Sequence, residues 1–113
     1  MAIKISGTSV INDQARVATG MQSIHDRVFS VGVSTTLQNL DYCSVTIAGL
    51  TITLPPTPTS GNQVTVKVGN FSNTVVGRNS SNIMGLSENM TINVVNSAVD
   101  LIFVDSTRGW EIT

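Results

Sequence analysis

Charge is scarce in this chain. Only 12% of its 113 residues are charged, against roughly 25% in an average soluble domain. Lysine and glutamate occur twice each, and the net charge is −1. Without a basic face to hold a phosphate backbone, nucleic-acid binding is not expected. Cys43 is the single cysteine, so no disulfide forms within the chain. His25 is the single histidine, which excludes a metal site built on several histidines. No apolar run approaches the ~20 residues that cross a bilayer, so no membrane insertion is expected. No apolar segment follows Met1-Ala2-Ile3-Lys4 as in a secretory signal, so assembly in a host cytoplasm is expected.

What the chain has instead is serine, threonine and asparagine, 37 residues in all. Hydroxyl and amide surfaces of this kind suit β-structure and protein contact better than a freely solvated monomer surface. A chain this small buries little apolar area alone, so association between copies is the expected route to stability.

The pattern changes once along the chain. Residues 1–11 read as an extended arm, with Ile3 and Ile5 alternating about Lys4 and Val10-Ile11 beyond Gly7. Asn12-Asp13 is a helix-start signal. Val17, Met21, Ile24 and Val28 follow at spacings of 4, 3 and 4, one apolar stripe of a short helix. From Ser30 the period is 2. Val45-Thr46-Ile47, Ile52-Thr53-Leu54, Val64-Thr65-Val66-Lys67-Val68 and Met90-Thr91-Ile92-Asn93-Val94 alternate. Val99 to Val104 is apolar on both faces apart from Asp100, as in a strand central in a sandwich or buried between subunits. Trp110-Glu111-Ile112 closes the series. Seven or eight short strands predict a small antiparallel β-sandwich or prism over residues 31–113, preceded by an arm and short helix over 1–30. No tandem repeat that would make a solenoid is visible.

Residues that could carry chemistry have simpler roles. Cys43 reads as a small core or interface residue, and His25 as a polar-face residue of the helix. Asp105, near Arg108, reads as a turn former. Gly77-Arg78-Asn79-Ser80-Ser81-Asn82 lacks the Gly-Lys-Ser/Thr ending of a phosphate loop and reads as a turn in which asparagine tolerates positive φ. The carboxylates, seven in all, could in principle include a glycosidase pair. One small subunit offers little surface for a sugar groove, so the chain is not expected to be an enzyme. No cofactor is expected.

Two regions carry a family resemblance. One is the opening from Met1 to Asp13. The other runs from about residue 50 to the end and contains Leu54-Pro55, Gly61-Asn62-Gln63-Val64, Arg78-Asn79-Ser80-Ser81-Asn82-Ile83-Met84-Gly85 and Gly109-Trp110. In this order they resemble bacteriophage tail-fibre and related virion structural proteins, cyanophage ones especially. The resemblance implies a homotrimer located in the virion, on the tail or capsid surface. Its N-terminal segment would attach to the tail or baseplate and its C-terminal β-module would form a trimeric tip. Ile3, Ile5, Val10 and Ile11 are then the virion-attachment residues. Met90, Ile92, Val94, Val99, Leu101, Phe103 and Trp110 are the trimer and core residues. The partners are other phage virion proteins. The long shaft and receptor-binding section of such fibres are missing here. A capsid decoration protein built on the same trimer is one alternative. A tip that binds a host glycan, with Trp110 stacking on the sugar, is another.

Overall fold

The computed structural model describes residues 25–113. Nine strands run through them: β1 (Arg27–Val31), β2 (Thr35–Thr36), β3 (Asp41–Val45), β4 (Thr51–Thr53), β5 (Gln63–Lys67), β6 (Thr74–Gly77), β7 (Met90–Ile92), β8 (Ala98–Asp105) and β9 (Gly109–Ile112). The fold is mainly β, and no helix occurs among the described residues.

The strands build two mixed sheets, ordered β9-β8-β5-β3-β1 and β2-β4-β6-β7. From β1 to β6 the chain alternates between the sheets. β1, β3 and β5 therefore pair in parallel in one, and β2, β4 and β6 in the other. This is a coil of three turns. β7, β8 and β9 then add antiparallel strands at its far end. The antiparallel sandwich or prism expected from the sequence is thus corrected: the centre of each sheet is parallel. Period-2 alternation reports which face is buried and is blind to strand direction. The coil escaped detection as a repeat because its turns differ in length. Arg27 pairs with Asp41 and Asp41 with Val64, spacings of 14 and 23 residues. In the other sheet Thr35 pairs with Ile52 and Ile52 with Val76, spacings of 17 and 24. The expected turn at Ala48-Gly49 exists, but it carries the chain from one sheet to the other rather than closing a hairpin.

The predicted helix is corrected at its C-terminal end, where Arg27 and Val28 lie in β1. Among the described residues the first strand therefore starts at Arg27, before the expected boundary at residue 30. Val28 is solvent-facing rather than part of an apolar stripe. Branched Val28 and Val31 flanking Phe29 suit an extended chain at least as well as a helix. The rest of that helix and the arm lie outside the described residues.

Alternation places one side chain in two between the sheets. In the first sheet Phe29, Cys43, Val66 and Val99 occupy one inward row in register. From the other sheet Ile52 and Val76 enter the same continuous core, with Leu37, Leu54, Leu101, Phe103 and Trp110. Pro55 follows β4, as expected of a residue that cannot donate to a ladder. Asp41 is fully buried at the start of β3. Its carboxylate accepts from Arg27 Nε at 2.8 Å and Nη2 at 2.6 Å, and from the Gln38 N–H at 2.7 Å. Those donors satisfy a charge that would otherwise be costly to bury.

Cys43 is buried in that inward row, as its sequence context suggests. Burial, and secondarily the Asp41 carboxylate, push its thiol up from 9.0 to about 11. The sign of the linkage follows. Below pH 9 the thiol is protonated in both folded and unfolded chains and contributes no pH dependence. Between pH 9 and 11 only the unfolded chain loses the proton, so stability falls as pH rises, by about 2 kcal/mol. Denaturant titrations across this range should show the fall, and Cys43→Ala should flatten it. A thiol reagent at pH 8 should react with the wild type only when the chain is unfolded.

Candidate functional site

The sequence suggested one list of trimer and core residues; the structure divides it in two. Leu101, Phe103 and Trp110 lie inside a single subunit. Trp110 is fully buried and meets Phe103 edge to face, with ring centroids 5.6 Å apart. It offers no platform for a sugar ring. Met90, Val94 and Val99 instead line an open groove, with Ile92 at its floor. Ile3, Ile5, Val10 and Ile11 lie outside the described residues.

The groove forms where the two sheets diverge at the far end of the coil. β7 supplies one wall, with Met90 and Ile92 on its inner face, and Val99 of β8 and Ile112 of β9 supply the other. It encloses about 290 Å³. A second groove of about 140 Å³ continues it beyond Met90, between Met84, Leu86 and Glu88. The two make one apolar strip along this end of the molecule. Val94 is 63% exposed and Leu86 56% exposed.

These side chains are held in solvent by an ordered backbone. The turn after β7 is fixed by the Ser97 hydroxyl donating to the Val94 carbonyl at 2.6 Å and by the Asn96 N–H donating to the Gly69 carbonyl at 2.7 Å. Lys67 Nζ donates to the Asn96 carbonyl at 2.6 Å. Asn96 takes a φ of 56° to complete the turn. Val94 and Val95 are both presented outward as a result. On the other wall, Met84 Sδ accepts from the Ile112 N–H at 3.4 Å. Single exposed apolar residues are ordinary, whereas a continuous strip marks an interaction surface.

The two strand edges that flank the strip differ. β9 is sealed by residues 82–86. Trp110 donates its N–H to the Asn82 carbonyl at 2.8 Å, and its own carbonyl accepts from the Met84 N–H at 2.7 Å. Among the described residues β7 pairs with β6 on one side only. Val75 donates its N–H to the carbonyl of Leu50, just before β4, so its backbone polar groups point away from β7. Thr91, which faces Val75 in register, therefore directs its own N–H and C=O to the free edge.

Polar groups gather elsewhere, on the outer face of the first sheet, where Val28, Tyr42, Thr65 and Asp100 form a row in register. His25 lies just before β1 rather than on a helix. It reaches Thr65 Oγ1 at 3.0 Å and meets the Tyr42 ring edge to face. The Thr65 hydroxyl donates to Asp100 Oδ1. With its one proton on the carboxylate, it can only accept from the histidine, so His25 does not act as base toward this hydroxyl. Among the described residues no group of three or more His, Cys, Asp or Glu side chains could hold a metal ion, and no helix is long and apolar enough to cross a membrane.

The turn readings hold. Asp105 Oδ1 accepts from the N–H groups of Thr107 and Arg108 at 2.9 and 2.7 Å. Asn79 and Ser80 take φ values of 48° and 69°. Asn79 Nδ2 donates to the Leu54 carbonyl at 2.9 Å. Sequence reasoning missed Met84, Leu86, Val95 and Ile112 as part of the strip. The readable signal was the Val94-Val95 pair: two adjacent apolar residues at a strand end cannot both turn inward. No protein-family model and no curated protein matches this chain.

Proposed function

We propose that this chain is a self-associating structural subunit of a bacteriophage virion, a short tail-fibre or baseplate component held to the particle by its N-terminal residues. The observation that carries the self-association is the strip of Met84, Leu86, Met90, Val94 and Ile112, kept in solvent by an ordered backbone. Covering such a strip removes apolar surface from water at roughly 25 cal/mol per Å². The low surface charge adds support, since it leaves little like-charge repulsion between copies. The virion assignment rests on the ordered motifs from Leu54-Pro55 to Gly109-Trp110 and on the opening residues Met1 to Asp13. The mechanism is assembly. Ile3, Ile5, Val10 and Ile11 add apolar or strand contacts to a neighbouring virion protein, and the β-body supplies the contact between copies. The resemblance by itself implies three copies, whereas the strip requires only that copies associate.

The test is incorporation. An antibody against the β-body should decorate purified particles from a host carrying the gene, and deletion of residues 1–11 should abolish the label while the free chain stays folded. Label at the tail supports the fibre or baseplate reading, and label spread over the head supports the capsid decoration alternative. Particles without label overturn the virion assignment.

A further inference from the structure

We infer that the occupant of the apolar strip is a second copy of this chain, joined β7 to β7 across a twofold axis through Thr91. The inference rests on the self-association reading above, though not on a location in a virion. Three observations bear on it.

The first is backbone chemistry. Thr91 directs both its N–H and its C=O to the free edge. An antiparallel neighbour centred on Thr91 of the second copy satisfies both, because two residues facing each other across a twofold exchange N–H···O bonds reciprocally. The opposite strand edge, on β9, is already closed by residues 82–86.

The second is the continuity of the apolar face. In this register Met90 of one copy lies beside Ile92 of the second. The grooves of the two copies open toward each other and merge into one layer that covers Val94 and Ile112, both about half exposed or more in the single chain.

The third is charge. The strip has an acid at one end, Glu88. At its other end Lys67 is held over the Asn96 carbonyl at 2.6 Å. Antiparallel pairing about Thr91 sets Glu88 opposite Val94 of the second copy, beside the turn that Lys67 of β5 contacts through Asn96. The twofold makes this approach twice, so the surface is complementary to itself. A three-residue strand gives a short ladder, and the twofold closes it, which limits growth to a pair rather than a fibre.

The experiment is light scattering of the full chain on a sizing column. The expected mass is twice 11.9 kDa. Val94→Asp should weaken association about a hundredfold, because an unpaired carboxylate would be buried in the contact. Its melting temperature as a monomer should be unchanged, since Val94 is exposed there. Thr91→Pro removes the edge N–H while sparing the ladder to β6 and should also give a monomer. Thr91→Cys should form a disulfide-linked dimer under mild oxidation, since a facing pair of this kind places the Cα atoms about 5.5 Å apart. If Thr91→Pro fails to fold, Val94→Asp and Thr91→Cys decide the matter. A monomeric wild type, a mass of three chains, or a dimer that Val94→Asp leaves intact overturns the inference. A mass of three chains would leave the trimeric fibre reading standing, and unlabelled particles would remove the virion assignment while leaving the dimer standing.

Discussion

Replacing Trp110 by alanine is expected to lower stability by about 3–5 kcal/mol, the range for emptying a large aromatic site in a core that only partly collapses. Trp110 is fully buried, and its ring contacts Phe103 at 5.6 Å. Its backbone also receives residues 82–86, through bonds from its N–H to Asn82 and from Met84 to its carbonyl. Losing the ring therefore loosens β9, and with it the segment that seals the β9 edge. Against a total stability of 5–15 kcal/mol for a domain of this kind, the loss is large. Trp110→Phe separates size from polarity. The indole N–H is buried with no partner among the described residues, so phenylalanine removes an unsatisfied donor while keeping much of the volume, and should cost under about 2 kcal/mol. Urea midpoints of both variants check this. A Trp110→Ala chain as stable as the wild type would mean that the ring does not hold the closing hairpin.

Gly109→Ala is expected to cost a similar amount, about 3–5 kcal/mol, for a different reason. Gly109 has a φ of +71° in the left-handed region and sits at the register shift between β8 and β9. A Cβ there would stand inside the van der Waals radius of the Asn82 carbonyl, which accepts the Trp110 N–H. Alanine therefore meets both a strained backbone conformation and a backbone group that cannot move without releasing its bond. Gly61 provides the contrast. It has a φ of +95°, but a Cβ there meets nothing within 4 Å, so Gly61→Ala should cost only the conformational part, about 1–2 kcal/mol. Melting curves of the two alanine variants, compared side by side, separate strain from steric clash. Equal losses would show that the Asn82 carbonyl gives way.

Much of this could be read from single residues. Alternation in Val64 to Val68 and Met90 to Ile92, and the apolar run from Val99 to Val104, marked real strands, because burial between two layers imposes a period of 2 on a strand with one face in solvent and lifts it from one buried on both. Pro55, Asp105 and Asn79 marked real turns, because Pro55 and Asn79 act through their own backbones and Asp105 through hydrogen bonds two and three residues away. Val28 misled, because its spacing from Ile24, Met21 and Val17 fits a helical stripe while its side chain sits on a strand and faces solvent. The list of contact residues was readable as apolar but not as inside or outside. Leu101 and Val94 look alike in a pattern of alternation. One ends in the core and the other 63% exposed, because β8 lies between two strands whereas Val94 sits on a turn beyond a sheet edge.

By itself, then, the amino-acid order determined the β-class, the positions of most strands and turns, the scarcity of charge and the burial of Cys43. These are local or compositional properties, carried by residue type and short spacing. Tertiary structure alone decided that the strands coil in parallel between two sheets, that Trp110 packs into the core of its own subunit rather than onto a neighbour, and that an apolar strip opens beside the edge at Thr91. Each of these depends on which distant segments pair. Pairs 14 to 24 residues apart, with no fixed interval between turns, leave no period for a linear reading to detect.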